Sequence, residues 1–159
     1  MNQRTVIKII TVLTFLQAGC GTTSTHSSCP DMQGSYKIEN IADLYIKKKF
    51  TGGYMAMVAS NDSSQFIPVI AVDKEDLERE NISECSLILQ GAGVLTPSDK
   101  QKNYNVTATS QNYTTERKPG TSFVLMVMAG FQSNVLGVDK ISETLPAEIS
   151  ERFSKGSSQ

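Results

Sequence analysis

The chain has no tryptophan and a single histidine, His26. One imidazole argues against a histidine-rich metal site. It also argues against a Ser-His-Asp or Cys-His arrangement in any domain that begins after it. Neither sign of charge dominates: 15 basic residues stand against 16 acidic ones, for a net charge of −1. That balance leaves no footprint for nucleic acid or another polyelectrolyte. Beyond residue 20 no apolar run is long enough to cross a bilayer as a helix. GxGxxG and the P-loop are absent, and Gly91-Ala92-Gly93 is a lone short glycine pair, weak as a phosphate cradle. The acidic group Asp73, Glu75, Asp76, Glu78, Glu80 and Glu84 is interleaved with Lys74 and Arg79 and lacks the spacing of a calcium loop. It reads as a solvated surface. No Ser-x-x-Lys motif supports a Ser–Lys pair. These absences argue against an enzyme and predict no metal, no cofactor and no nucleic-acid partner.

The first 19 residues have the order of a secretory signal peptide. Arg4 and Lys8 supply positive charge, Ile9 to Leu16 is uncharged, and Gln17-Ala18-Gly19 leads to Cys20. The apolar run is too short for a membrane-spanning helix. The residues Leu16-Gln17-Ala18-Gly19-Cys20 resemble the lipobox of bacterial lipoproteins. In that family a small residue precedes a cysteine that receives a diacylglyceryl group and becomes the acylated N-terminus. Ala18, Gly19 and Cys20 fit, whereas Gln17 stands where an aliphatic residue is preferred. Simple secretory cleavage near Gly19 or Gly21 is the alternative. The resemblance implies lipidation at Cys20 and a membrane anchor, because two or three acyl chains hold a protein durably. Gly21 in place of aspartate resembles the outer-membrane class, with the protein facing the periplasm. Cys29 to Tyr36 (CPDMQGSY) is similar to the openings of small bacterial lipoproteins, which adds class and not mechanism.

Three cysteines are an awkward count for an exported protein. With Cys20 lipidated, Cys29 and Cys85 are left to pair, and an oxidising compartment permits the bond. Two unpaired buried thiols are the alternative. Residues 20–28 read as a lipidated flexible tether, small and polar throughout. A single globular domain is then expected over 29–159.

Within that domain strand patterns dominate. Tyr54 to Ala59 and Phe66 to Val72 read as a hairpin, with Pro68 marking an edge or bulge. Cys85 to Leu95 reads as one strand bent at Gly91 and Gly93. Tyr104 to Tyr113 alternates, and Ser122 to Phe131 is the most apolar segment, expected at the centre. Residues 39–49 fit either a helix ended by Gly52-Gly53 or a strand through Leu44 to Phe50. Asp73 to Asn81 suits an exposed helical turn. Ile141, Leu145, Ile149 and Phe153 form a helical stripe, with Thr144 able to cap and Pro146 suited to a first turn, which predicts a helix over 145–154. The expectation is a mainly β, α+β domain of five or six strands. Its antiparallel sheet would curl into a small barrel or half-barrel backed by a C-terminal helix.

Two features could carry contacts. Lys47-Lys48-Lys49 could touch anionic lipid head groups or an acidic partner, or be an exposed strand end. Met55 and Met57 share one strand face, and Met126 and Met128 another. Methionine fills core gaps, but it also lines adaptable apolar surfaces such as a groove or barrel mouth. Two functions follow as expectations. One is an anchored, non-catalytic accessory protein of the cell envelope, contacting an envelope partner. The other is a lipocalin-like carrier of a small apolar ligand or acyl chain.

Overall fold

In a computed structural model, the described residues are 29–79, 82–107, 114–129 and 132–156. Nine strands make one antiparallel sheet. They are β1 (Gly34–Ile38), β2 (Ala42–Lys48), β3 (Tyr54–Ala59), β4 (Ser64–Ile67), β5 (Val69–Ile70), β6 (Leu87–Leu89), β7 (Gly93–Pro97), β10 (Phe123–Ala129) and β11 (Gln132–Ser142). β8 (Tyr104–Thr107) and β9 (Thr114–Arg117) form a separate two-stranded ribbon. The described residues also form two helices, α1 (Lys74–Arg79) and α2 (Ala147–Gly156).

The order across the sheet is β4-β3-β2-β1-β11-β10-β7-β6-β5. Its two edges, β4 and β5, are consecutive in the chain and separated only by Pro68. The sheet is therefore rolled until its first and last strands meet, which gives a nearly closed barrel. Pro68 sits at that corner. It has no N–H to offer a ladder, and its carbonyl accepts from the Gln90 amide at 2.9 Å, extending the β5–β6 pairing.

Alternation sends one face of each strand inward. Tyr36 and Ile38, Leu44 and Ile46, Ala56, Leu89, Leu95, Phe123, Leu125 and Val138 fill the interior, with Met32 below them. Tyr36 and Phe123 meet edge to face at 5.3 Å between ring centres. The core of this barrel is thus made of side chains. Two patches on its outer wall are also apolar, and each has its own cover. α2 lays Ile149 and Phe153 over Met57, Tyr45 and Met55. The ribbon sets Val106 and Tyr104 against Val124, Val135 and Met126. Glu39, in the β1–β2 turn, accepts from the Arg117 guanidinium and from the Gly137 amide, so the ribbon is also held by charge.

The strand reading of residues 39–49 holds, over Ala42–Lys48, because Leu44 and Ile46 point inward with period two. The bent strand expected over 85–95 is instead the β6–β7 hairpin. The chain reverses through Gln90 and Gly91, the latter with φ of +76°, and Ala92 donates to the Leu89 carbonyl. β11 is the longest strand, and its stretch from 132 to 138 carried no sequence expectation. Ile141 belongs to it and not to the helical stripe. Ser35 pairs with Ser142 and Tyr36 with Lys140, so Ile141 is the extra residue of a bulge and is 67% exposed. The helix starts at Ala147, two residues later than expected, and Ser150 donates to the Pro146 carbonyl in its first turn. Of the alternating segment 104–113, residues 108–113 lie outside the described residues.

Candidate functional site

One end of the barrel gathers most of the residues that the sequence singles out. The described chain enters there at Cys29. Asp31 accepts the Gln33 amide at 3.0 Å in a tight side-chain turn, and the Tyr54 hydroxyl donates to the same oxygen at 3.4 Å. Lys140 donates to the Asp31 carbonyl at 2.7 Å and also pairs with Glu143. The Gln33 side chain accepts the Lys48 amide at 3.2 Å. Met32, 2% exposed, plugs the barrel, and the Tyr36 hydroxyl donates to its carbonyl at 2.7 Å. Residues 31–33 are therefore a strap stitched across this end. The Gln33 amide bond, helped by the Lys48 and Lys140 charges, holds the Asp31 carboxyl below its ordinary pKa. Burial pushes the Tyr36 phenol far above its own.

Cys29 and Cys85 meet at the same end. Their sulfurs are 2.06 Å apart and their Cα atoms 5.1 Å apart, which is disulfide distance. Cys85 lies between α1 and β6, so this contact ties the strap to the far side of the barrel mouth. Beside it is a pocket of about 330 Å³ lined by Tyr54, Val69, Val72, Leu77, Leu87 and Ile88, among others. Cys20 lies outside the described residues.

The β2–β3 turn is the third feature of this end. Lys49 donates to the Gly53 carbonyl at 2.9 Å and Gly52 to the Lys49 carbonyl at 3.1 Å. Gly52 and Gly53 have φ of +91° and +75°, which a side chain would resist. The tight reversal throws Phe50 entirely into solvent, at 107% relative exposure. Lys47 turns back toward α2, near the Ser150 carbonyl and the Ser154 hydroxyl, with its ammonium 6.0 Å from the Phe153 ring. Lys48 and Lys49 are exposed. Together Lys47 to Thr51, Met55, Ser154 and Gly156 line a groove of about 680 Å³, and no carboxylate is among its described lining residues.

Met55 and Met57 do not converge with Met126. Met57 is 1% exposed beneath α2, so it packs and does not present a surface. Met55, on the same face, reaches the rim of the basic groove. Met126 sits under the ribbon and borders a separate pocket of about 290 Å³ with Tyr104, Asn103 and Thr96. Met128 pairs with Ser133 in the β10–β11 ladder, and its side chain is outside the described residues. Sequence reasoning did not single out Phe50 or the strap. The Lys-Lys-Lys-Phe-Thr-Gly-Gly run contains a usable signal, because paired glycines after a strand mark a tight turn and leave the preceding aromatic without a core.

Among the described residues no group of three or more His, Cys, Asp or Glu could hold a metal ion. No described helix is long and apolar enough to cross a membrane. No protein-family model, no curated protein and no solved structure matches this chain.

Proposed function

We propose that the chain is a lipid-anchored, non-catalytic lipoprotein of the bacterial cell envelope. It is held through acylated Cys20 at the periplasmic face of the outer membrane and serves as an accessory docking domain for an envelope protein. The observation that carries this reading is the approach of Cys29 to Cys85. It accounts for two of the three cysteines and leaves Cys20, in Leu-Gln-Ala-Gly-Cys, for lipid. A bridge there suits an oxidising compartment. The packed barrel and the lone His26 upstream of it add support for a non-catalytic role.

The test is the intact mass of the membrane-extracted protein, with and without reductant. The expected mass is that of residues 20–159 plus acyl groups, rising by one hydrogen per bridged sulfur on reduction. Cys20→Ala removes the acyl mass. An unacylated parent with a free Cys20 thiol refutes the anchor.

The pocket at the barrel mouth favours a second reading, a carrier of a small apolar ligand or acyl chain. Its volume of about 330 Å³ is at the lower end of ligand sites. The interior is occupied by side chains, so a ligand would bind at the mouth. Native mass spectrometry of gently purified protein should then show a co-purifying lipid. A clean apo mass with no uptake of a fluorescent fatty acid removes this reading.

A further inference from the structure

Phe50 is an aromatic ring placed where the fold makes no use of it. Its exposure of 107% means that it contributes nothing to the core. The turn that presents it is well defined by two backbone hydrogen bonds and two left-handed glycines. Lys48 and Lys49 precede the ring directly in the chain, and the charged residues among the described lining of the groove behind it are lysines. An apolar tip beside ammonium groups matches an anionic bilayer surface. The ring can sit at the boundary of head groups and acyl chains, with the amines at phosphate level.

The position of the turn selects the same occupant. The strap touches the base of the turn through Gln33 and the Lys48 amide, so the turn and the start of the described chain share one end of the barrel. Cys20 is nine positions before Cys29. A linker of that length reaches at most about 30 Å when fully extended. An acyl group on Cys20 therefore keeps this end of the barrel within one short tether of the leaflet. The carboxylates of and beside α1, at the same mouth, are partly offset by their own cations. Lys74 pairs with Glu78 and Glu84, and Arg79 with Asp76.

We infer that the Lys48-Lys49-Phe50 turn is a second, reversible membrane contact that docks the tethered end of the barrel onto anionic phospholipid. This rests on the lipoprotein reading, because the anchor supplies the proximity. One acyl anchor fixes distance but leaves the domain free to tumble. A second contact fixes orientation, so the β1–β2 turn and the far barrel rim face the periplasm, where a protein partner can reach them.

The test uses the full acylated protein in vesicles of phosphatidylethanolamine and phosphatidylglycerol. Because the chain has no tryptophan, Phe50→Trp adds a single indole at the turn. Ile41→Trp adds one at the opposite end, where Ile41 is 60% exposed. The Phe50→Trp protein is expected to show blue-shifted emission and quenching by brominated acyl chains, and the Ile41→Trp protein neither. Adding Lys48→Gln and Lys49→Gln should weaken docking about twenty-fivefold, at about fivefold per lysine near an anionic surface. Vesicles of phosphatidylcholine alone should give a similar loss. Emission from the Phe50→Trp protein as wet as that of Ile41→Trp overturns the inference. A blue shift that survives loss of both lysines and of anionic lipid overturns its charged part. Intact mass of the same sample reads the anchor separately. Acyl groups with a wet indole refute docking and leave the lipoprotein reading standing. A missing acyl mass refutes the anchor, and the indole then decides the turn alone.

Discussion

Removing the Cys29–Cys85 link tests the stability argument most directly. The two residues are 56 apart in sequence, so the bond closes a long loop of the unfolded chain. Loop-closure entropy for that separation is about 14 cal/mol/K, or about 4 kcal/mol at room temperature. In the folded state little need change. The strap keeps the Asp31–Gln33 turn, the Tyr54 hydroxyl bond and the Lys140 bond without the sulfurs. The loss is therefore expected to arise chiefly in the unfolded state. A Cys29→Ser/Cys85→Ser protein should remain folded, with unchanged far-ultraviolet circular dichroism. Its urea midpoint should fall by roughly 2 M, taking about 2 kcal/mol per molar for a domain of this size. The denaturant slope should rise, because an uncrosslinked chain exposes more surface on unfolding. Reductant on the parent should reproduce both changes. Equal midpoints and equal slopes for parent and double variant would refute the reasoning. That result would mean either that the thiols are unpaired in the protein or that the unfolded chain is already as compact as the crosslinked one.

Three other parts of the design can be probed separately. Phe153 is fully buried and meets Phe66 edge to face at 5.3 Å, so Phe153→Ala should cost roughly 3 kcal/mol and be seen first as faster amide exchange in α2. A Cβ on Gly93, where φ is +138°, would stand 2.2 Å from the Met126 carbonyl oxygen, so Gly93→Ala should cost roughly 3 kcal/mol or more in chemical denaturation. Gly91→Ala meets no atom within 4 Å and should cost only the left-handed backbone, about 1 kcal/mol. Burial raises the Tyr36 phenol above its ordinary value of 10.0, so the folded state favours the protonated form. Stability should be undiminished below that pH and fall as pH rises through and above it, since the unfolded chain ionises first. Urea midpoints taken across that range should show the decline in the parent and a shallower one in Tyr36→Phe, which itself loses about 1 kcal/mol with the bond to Met32.

Much of the barrel is legible before any coordinates. Tyr54 to Ala59 and the start of the run from Phe66 give the β3–β4 hairpin, because apolar patterning acts over a few residues. The apolar run after Ser122 becomes β10, flanked on both sides by β7 and β11. What escaped has physical reasons. β11 is covered on both faces. Val135 packs outward under the ribbon while its neighbours Leu136 and Val138 pack inward, so both faces carry apolar residues and no apolar–polar alternation stands out. Ile141 keeps helical spacing with Leu145 only because a bulge adds one residue. Gly91 and Gly93 look alike in sequence, yet one turns a hairpin and the other admits a neighbouring carbonyl. At the candidate site the lysine run and the cysteine pair were visible. The exposure of Phe50 and the strap beneath it were not.

The sequence alone determined the local and compositional facts of this protein. These are a β-rich chain with one amphipathic C-terminal helix, an N-terminal segment with the pattern of an export signal, and three cysteines. Each depends on residue type at short spacing. Tertiary structure alone decided that the two sheet edges meet across Pro68, and that Met57 and Met126 lie outside the barrel under different covers. It also decided that Cys29, the strap and Phe50 share one end. Those are relations between residues far apart in the chain, set by how a twisted sheet closes on its core. No local pattern encodes which turn will stand beside the strap.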